Sequence, residues 1–360
     1  MRALLFYLAV YLIIVIMRLA MGEYARTNPG IYRVIMLALF LISAFRFEVG
    51  CDWGGYIAQL DQERVQGIGK TLANREWLWF LFLHAVARLG VDYAWVNVVS
   101  AAAFFAGVHV LAKRQLDPVG FLVLLFPILV MNLPMSGIRQ GVAVGLMCVA
   151  FTAFIDRRVI KFVIWTAIAG SIHSSAIIFF LLVPFCLKLR PGVQMLTAFI
   201  LALPGLYLLL TGSAADVAFS RYVQSDIEAA GANYRVALVF VTGLVFLFYL
   251  RRPWQHFYPY DFPLMLIGGF MMVGTGALLL LSSVIADRMG YYLVPLQAAM
   301  LARIPYLPIR SGRPLYFITP YAIFLAVFVG WMSFSSLFRD CYVPYKTWLF
   351  GGHASEESEI

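Results

Sequence analysis

Asp52 lies in the run Val49-Gly50-Cys51-Asp52-Trp53-Gly54-Gly55-Tyr56, a carboxylate beside aromatic rings and glycines. That combination suits the hydroxyls of a sugar, although Trp53 and Tyr56 also suit the interfacial belt of a membrane protein. Glu76 opens the apolar stretch Glu76-Trp77-Leu78-Trp79, where the positive end of a helix favours a carboxylate with or without a function. Further on, Pro134 breaks the chain ahead of Ser136-Gly137-Ile138-Arg139-Gln140-Gly141, so Arg139 and Gln140 restart a helix in apolar surroundings. An ionisable group near membrane depth is costly and marks a site by default. The planar fork of an arginine also matches phosphate oxygens in a bidentate pair.

His173, Ser174 and Ser175 put an imidazole and two hydroxyls where two short apolar segments meet. A histidine there serves as a base or binds an anion; its plainer role is a satisfied packing group. Arg221-Tyr222 falls in a long polar segment, and Asp287-Arg288 with Tyr291 and Tyr292 heads a later apolar helix, where Arg288 has Asp287 as a ready ion-pair partner. Tyr342-Val343-Pro344-Tyr345 follows the last apolar run. Two motifs are decoys. Gly67-Ile68-Gly69-Lys70-Thr71 resembles the end of a phosphate-binding loop but has Arg64 where the earlier glycine is required, and Gly274-Thr275-Gly276 suits helix packing.

The elements that must position these groups are membrane helices. Of 360 residues, 62% are hydrophobic and only 12% charged, a surplus no soluble core could absorb. A bilayer core needs roughly 20 apolar residues per helical span. Such segments recur at about 3–20, 31–47, 92–112, 118–133, 138–155, 159–172, 173–187, 193–211, 234–250, 262–281, 288–303 and 315–337. The expected fold is therefore all-α, a polytopic integral membrane helical bundle of about twelve spans. The first segment is read as a permanent span rather than a signal peptide. Glu76–Leu89 is too short to cross and suits a re-entrant or interfacial helix, and the pair 159–172 and 173–187 reads as two half-helices meeting at a break. Gly141 and Gly145 form a GxxxG pair at which another helix can come close.

Assigning alternate loops to opposite sides separates the charge. One side takes fifteen of the 27 basic residues, including Arg18, Arg114 and Arg303, and four of the 18 acids, Glu23, Asp117, Asp156 and Asp261, a balance of +11. The other side keeps twelve basic and fourteen acidic residues, a balance of −2. The positive-inside rule makes the first side cytoplasmic and puts both termini outside. The loops 48–75 and 212–233 then lie on the outer face of a single transmembrane domain, 1–340, followed by an outer tail, 341–360, with a disordered end. The cysteines, Cys51, Cys148, Cys186 and Cys341, have no metal-ligand or CxxC spacing and read as isolated membrane cysteines.

Taken in order, VGCDWGGY (49–56), Glu76, SGIRQG (136–141), HSSA (173–176), Arg221-Tyr222, Arg288 with Tyr291-Tyr292, and VPY (343–345) resemble the EpsG-type branch of Wzy-like bacterial polysaccharide polymerases. The resemblance covers roughly residues 1–346, with Cys51 a departure where a small or hydroxyl residue is expected. It implies a GT-C-like fold and an enzyme of the bacterial inner membrane, working on the periplasmic face. That enzyme would join polyprenyl-diphosphate-linked oligosaccharide repeat units into exopolysaccharide or O-antigen.

His173, Asp52 and Glu76 would be the candidate catalytic groups. Arg139, Arg288, Arg221, Gln140, Trp53, Tyr56, Ser174, Ser175, Tyr222, Tyr291, Tyr292 and Tyr345 would bind substrate. A diphosphate leaving group wants arginines and an acceptor hydroxyl wants a base. No Asp-x-Asp motif is present, so no metal or other cofactor is implied. Expected partners are the lipid-linked donor and acceptor, membrane lipid, a flippase and chain-length or export proteins, and no nucleic acid. Two alternatives fit the same composition: a transporter or flippase of such lipids, or a related ligase. The motifs' clustering on one face favours the enzyme, and the internal repeats expected of a transporter are missing from the sequence.

Overall fold

Helix starts coincide with capping signals in the chain. Asn28 accepts from the backbone N–H groups of Gly30 and Ile31 at 2.7 and 3.3 Å, with Pro29 as the first helical residue. Asp117 does the same for Gly120 at 2.8 Å ahead of Pro118. In both, a side-chain oxygen satisfies an orphan donor while proline occupies the turn that needs none.

The computed structural model describes residues 2–211, 231–308 and 313–350. The chain runs through α1 (Arg2–Ala20), α2 (Gly22–Thr27), α3 (Pro29–Ala44), α4 (Trp53–Val65), α5 (Ile68–Leu72) and α6 (Trp77–Leu89). It continues as α7 (Ala94–Ala112), α8 (Pro118–Leu125) with a π-helical turn Phe126–Val130, α9 (Ile138–Ile155) and α10 (Val159–Ile172). A 3₁₀ stretch Ser174–Leu182 leads to α11 (Val183–Cys186) and α12 (Pro191–Thr211). The last elements are α13 (Ala232–Val245) with a π turn Phe246–Leu250, α14 (Arg251–Phe257), α15 (Phe262–Leu281), α16 (Ser283–Arg303), α17 (Arg313–Phe334) and α18 (Ser336–Tyr342), with short 3₁₀ turns at Ile304–Tyr306 and Trp348–Phe350.

The protein is thus all-helical; among the described residues the sole β-type pairing is a single bridge between Arg46 and Thr347. Among the described residues, five helical segments, Ala94–Ala112, Ile138–Ile155, Ala232–Phe257, Phe262–Leu281 and Leu315–Phe334, are long and apolar enough to cross a bilayer, and seven shorter apolar helices accompany them. α9 is the central one, 78% buried over its apolar window, whereas the last three of the five segments are only 28–33% buried and turn their sides outward. α16 begins five residues earlier than the sequence periodicity suggests, because Ser282 caps it by accepting from the Ile285 N–H. Asp287 and Arg288 therefore sit within its second turn rather than at its head.

Close backbone approach fixes the centre. The GxxxG glycine Gly145 meets Gly107 of α7 so closely that a Cβ on Gly107 would overlap the Gly145 carbonyl. That is the small-residue contact expected of packed membrane helices.

The ion pairs sort into two sets. Among the described residues, Arg18–Asp117, Arg26–Glu23, Arg114–Asp156 and Arg303–Asp261 join members of the basic loops. Arg64–Asp61, His84–Glu63, Arg139–Glu76, Arg235–Asp287 and Lys346–Glu48 join members of the opposite set. Arg26–Glu23 and Arg64–Asp61 are i,i+3 neighbours and carry no information about topology. The other seven link distant parts of the chain, and none mixes the sets. The alternate-loop assignment thus divides the charged residues as the packing does.

Around the Arg64–Asp61 and His84–Glu63 pairs, α4, α5 and α6 form a small helical layer. The carboxylate of Glu63 is buried within it, accepting from Thr71 Oγ1 at 2.6 Å and Gln66 Nε2 at 2.8 Å, with His84 Nδ1 at 3.2 Å. Thr71 of the phosphate-loop decoy therefore has a packing role. α6 has 13 residues, about 20 Å of helix against a hydrocarbon core of about 30 Å.

The cysteine expectation needs correction. Cys51 and Cys341 form a disulfide with Cα atoms 4.9 Å apart, while Cys148 and Cys186 are free and buried. Their 290-residue separation hides the pairing from any spacing rule. Replacing both Cys51 and Cys341 by serine should destabilise the protein by about 2–4 kcal/mol. Thermal unfolding in detergent would test this: reductant should bring the wild type down to the midpoint of the variant and leave the variant unmoved.

Candidate active site

Gly50 brings the first motif onto the third. Its φ of +106° is open to glycine alone, and a Cβ there would overlap the Met135 carbonyl oxygen. Its N–H donates to the Cys341 carbonyl at 2.7 Å, so the start of α4, the break before α9 and the end of α18 meet at one point. Beside it opens a cavity of about 430 Å³ at the end of the bundle holding the second set of ion pairs. Asp52 and Tyr56 of the first motif, Ser136, Arg139 and Gln140 of the third, and His173 line one part of it. Arg235, Asp287, Arg288 and Tyr291, with Trp331 and Tyr342, line the other.

One carboxylate ties two motifs together. Glu76 Oε2 pairs with Arg139 Nη1 at 2.8 Å, and Glu76 Oε1 accepts the Ser174 backbone N–H at 2.8 Å. Arg139 is therefore held in place beside the break that carries His173, and its Nε is buried without a hydrogen-bond partner. Its backbone N–H donates to the Tyr56 hydroxyl at 3.3 Å. Gln140 Nε2 donates to the carbonyl of Arg288 at 2.7 Å, fixing α16 against α9. Asp52 Oδ2 accepts from Ser136 Oγ at 3.0 Å.

His173 stands in the chain break between α10 and the 3₁₀ stretch, outside both. Its Nδ1 lies 2.7 Å from Ser175 Oγ, and Ser175 donates to the Tyr292 hydroxyl at 3.1 Å. With the serine proton directed to Tyr292, Oγ accepts from Nδ1–H and leaves Nε2 with the basic lone pair. Burial pushes the imidazole pKa well below its ordinary value; Glu76 opposes the fall, and Arg139 and Arg288 add to it. The ring is neutral at neutral pH, the form a base requires.

A sequence model of the EpsG family matches residues 30–347. The chain belongs to the EpsG family. That match contains every residue lining the cavity, from Cys51 to Tyr342. No curated protein and no solved structure matches the chain.

In this EpsG-family chain the sequence-derived residues divide by position. Asp52, Tyr56, Arg139, Gln140, His173, Arg288 and Tyr291 line the cavity. Glu76, Ser174, Ser175 and Tyr292 stand behind that wall, bonded to the residues that form it or to their neighbours. Trp53 packs edge-on to Tyr93 with ring centroids 4.8 Å apart, and the guanidinium of Arg46 lies over its ring. Tyr345 donates to the Ile42 carbonyl at 3.0 Å and stacks on Phe6. Neither Trp53 nor Tyr345 lines the cavity; the tyrosine of the last motif that does is Tyr342. Arg221 and Tyr222 lie outside the described residues.

Arg235 escaped the sequence reading. It grips Asp287 with two bonds, Nε to Oδ1 at 2.8 Å and Nη2 to Oδ2 at 2.7 Å, so Asp287 serves a helix other than its own. The signal was available: an arginine in the first turn of the apolar helix α13 is an ionisable group at membrane depth.

Proposed function

We propose that the protein is a metal-independent glycosyltransferase that polymerises polyprenyl-diphosphate-linked oligosaccharide repeat units for exopolysaccharide or O-antigen synthesis. The observation carrying this reading is the meeting of Arg139, Arg288 and His173 on one cavity, with Glu76 bonded both to Arg139 and to the backbone next to His173. The acceptor is a sugar hydroxyl of one lipid-linked unit. His173 Nε2 takes its proton as the oxygen attacks the anomeric carbon of the donor. The bond from that carbon to the diphosphate oxygen breaks, and polyprenyl diphosphate leaves with the electron pair. Arg139 and Arg288 offset the charge that grows on the leaving group. Asp52, beside Ser136, holds sugar hydroxyls and is the rival base. Family membership supports a polysaccharide-polymerase role, and the same reading carries the arrangement of about twelve spans and the likeness to GT-C transferases.

We assign the cavity to the periplasmic side of the inner membrane. Support comes from the charge balance and from the disulfide at the cavity end, since disulfides persist in oxidising compartments. A cysteine at Gly67, where a Cβ meets nothing within 4 Å, tests the orientation with Cys148 and Cys186 replaced and the disulfide retained. An impermeant maleimide should label it in spheroplasts, and a cysteine at Lys188 only after permeabilisation; the reverse pattern overturns the assignment.

Purified protein incubated with lipid-linked repeat units tests the activity. A ladder of products on a gel is expected. A single transfer product identifies a ligase, and unchanged substrate removes the enzymatic reading in favour of transport.

A further inference from the structure

A second, larger cavity of about 560 Å³ adjoins the first and differs from it in character. Its walls are mainly apolar, with Ile128, Tyr234, Val327, Phe328 and Phe334 among them. It runs between the first turn of α13 and the last turns of α17, the ends of those helices nearest the polar cavity. Asn132, Arg235 and Trp331 line both spaces, so the polar chamber passes into the apolar groove across three shared residues. Tyr234 and Phe334 are 73% and 86% exposed at its margin, on two of the outward-turned helices.

The backbone around the groove is irregular where it borders it. Pro127 and Ile128 belong to the π-helical turn Phe126–Val130, a widened turn of a kind often found at functional sites. Asn132, one of the shared residues, donates to the Ile128 carbonyl at 2.8 Å and so ties that turn to the junction. On the facing side Gly330 leaves room, because a Cβ there meets nothing within 4 Å.

We propose that this groove holds the isoprenoid chain of a polyprenyl diphosphate, whose diphosphate reaches past the junction to Arg139 and Arg288 in the polar cavity, where its sugars also lie. The inference rests on the lipid-linked substrate of the proposed function and adds where that lipid lies. An anchored lipid has its hydrocarbon at membrane depth and its headgroup at the surface, the same order in which the groove and the cavity follow each other. The tail moves into the groove from bilayer hydrocarbon, so it gains van der Waals packing rather than escape from water; the groove orients the lipid and the arginines fix the reacting end.

The test uses the full chain in phospholipid nanodiscs and undecaprenyl diphosphate carrying a photoreactive diazirine on an isoprene unit near the diphosphate. Crosslinked peptides should map to 231–235 and 326–336. Gly330→Leu should lower the crosslink yield at a fixed subsaturating probe concentration by about tenfold, whereas Gly274→Leu, also in open space but on α15, should not change it. Crosslinks confined to other helices, or an undiminished yield in Gly330→Leu, overturn the proposal. So does displacement by excess phosphatidylglycerol as complete as that by unlabelled probe, which would mark an acyl-chain site. The readout needs no polymerisation. A protein that crosslinks here but gives no ladder keeps the groove and loses the enzyme; one that gives a ladder but crosslinks elsewhere keeps the enzyme and loses the groove.

Discussion

His173→Ala should slow the initial rate of chain extension by about 10²–10⁴-fold, the range for losing a general base, with little change in thermal midpoint. The imidazole is neutral because it is buried, and its Nδ1 is occupied by Ser175. Both features leave Nε2 as the proton acceptor. Because the fall in pKa favours the neutral ring, the wild-type rate should hold as pH drops through 6.5, the ordinary histidine value, and decline only well below it. A rate in His173→Ala within a few-fold of wild type would return the residue to packing and move the base to Asp52. A rate that halves at the ordinary histidine value would contradict the burial argument.

Arg139→Lys should cost about 10²–10³ in rate at saturating donor, comparable to removing one preorganised donor from a developing anion. Lysine keeps the charge but loses the planar fork, which here divides between Glu76 and the cavity. The protein should still insert and fold, because lysine can still pair with Glu76. Wild-type rate in Arg139→Lys would make the arginine a structural partner of Glu76 and remove the chief chemical support for a diphosphate donor. Arg288→Lys, on the opposite wall, should be impaired in the same direction. Thermal stability of both variants, measured beside the rates, separates loss of chemistry from loss of fold.

How much of this was legible in the sequence follows from what each feature depends on. IRQG and HSSA are local: a proline break and a run of hydroxyls announce them, and the structure sets them on either side of Glu76. The cap residues Asn28 and Asp117 were equally local, each followed by proline. Arg235 with Asp287 and Cys51 with Cys341 are pairs across 52 and 290 residues, and no spacing rule reaches that far. Periodicity also fails for membrane helices, since lipid and protein interior are equally apolar and residues facing either look alike. That is why α9 at the centre and α15 at the margin read the same in sequence. The start of α16 was misread for the opposite reason: Asp287 and Arg288 lower its hydropathy, while the real boundary is the cap at Ser282.

The disulfide and the contacts around it join the first helix to the last. The Tyr7 hydroxyl donates to the Tyr342 carbonyl, the Tyr342 hydroxyl donates to the Met131 carbonyl, and Cys341 is bound to Cys51. The cavity wall beginning at Cys51 is completed by Leu337 and Tyr342, close to the other end of the match. During synthesis, therefore, every helix from α1 to α17 can be made and inserted while one wall of the chamber is still missing. Residues from Leu337 onward complete it: a nascent chain, or one cut short before Leu337, has the arginines and the histidine but not the finished chamber around them.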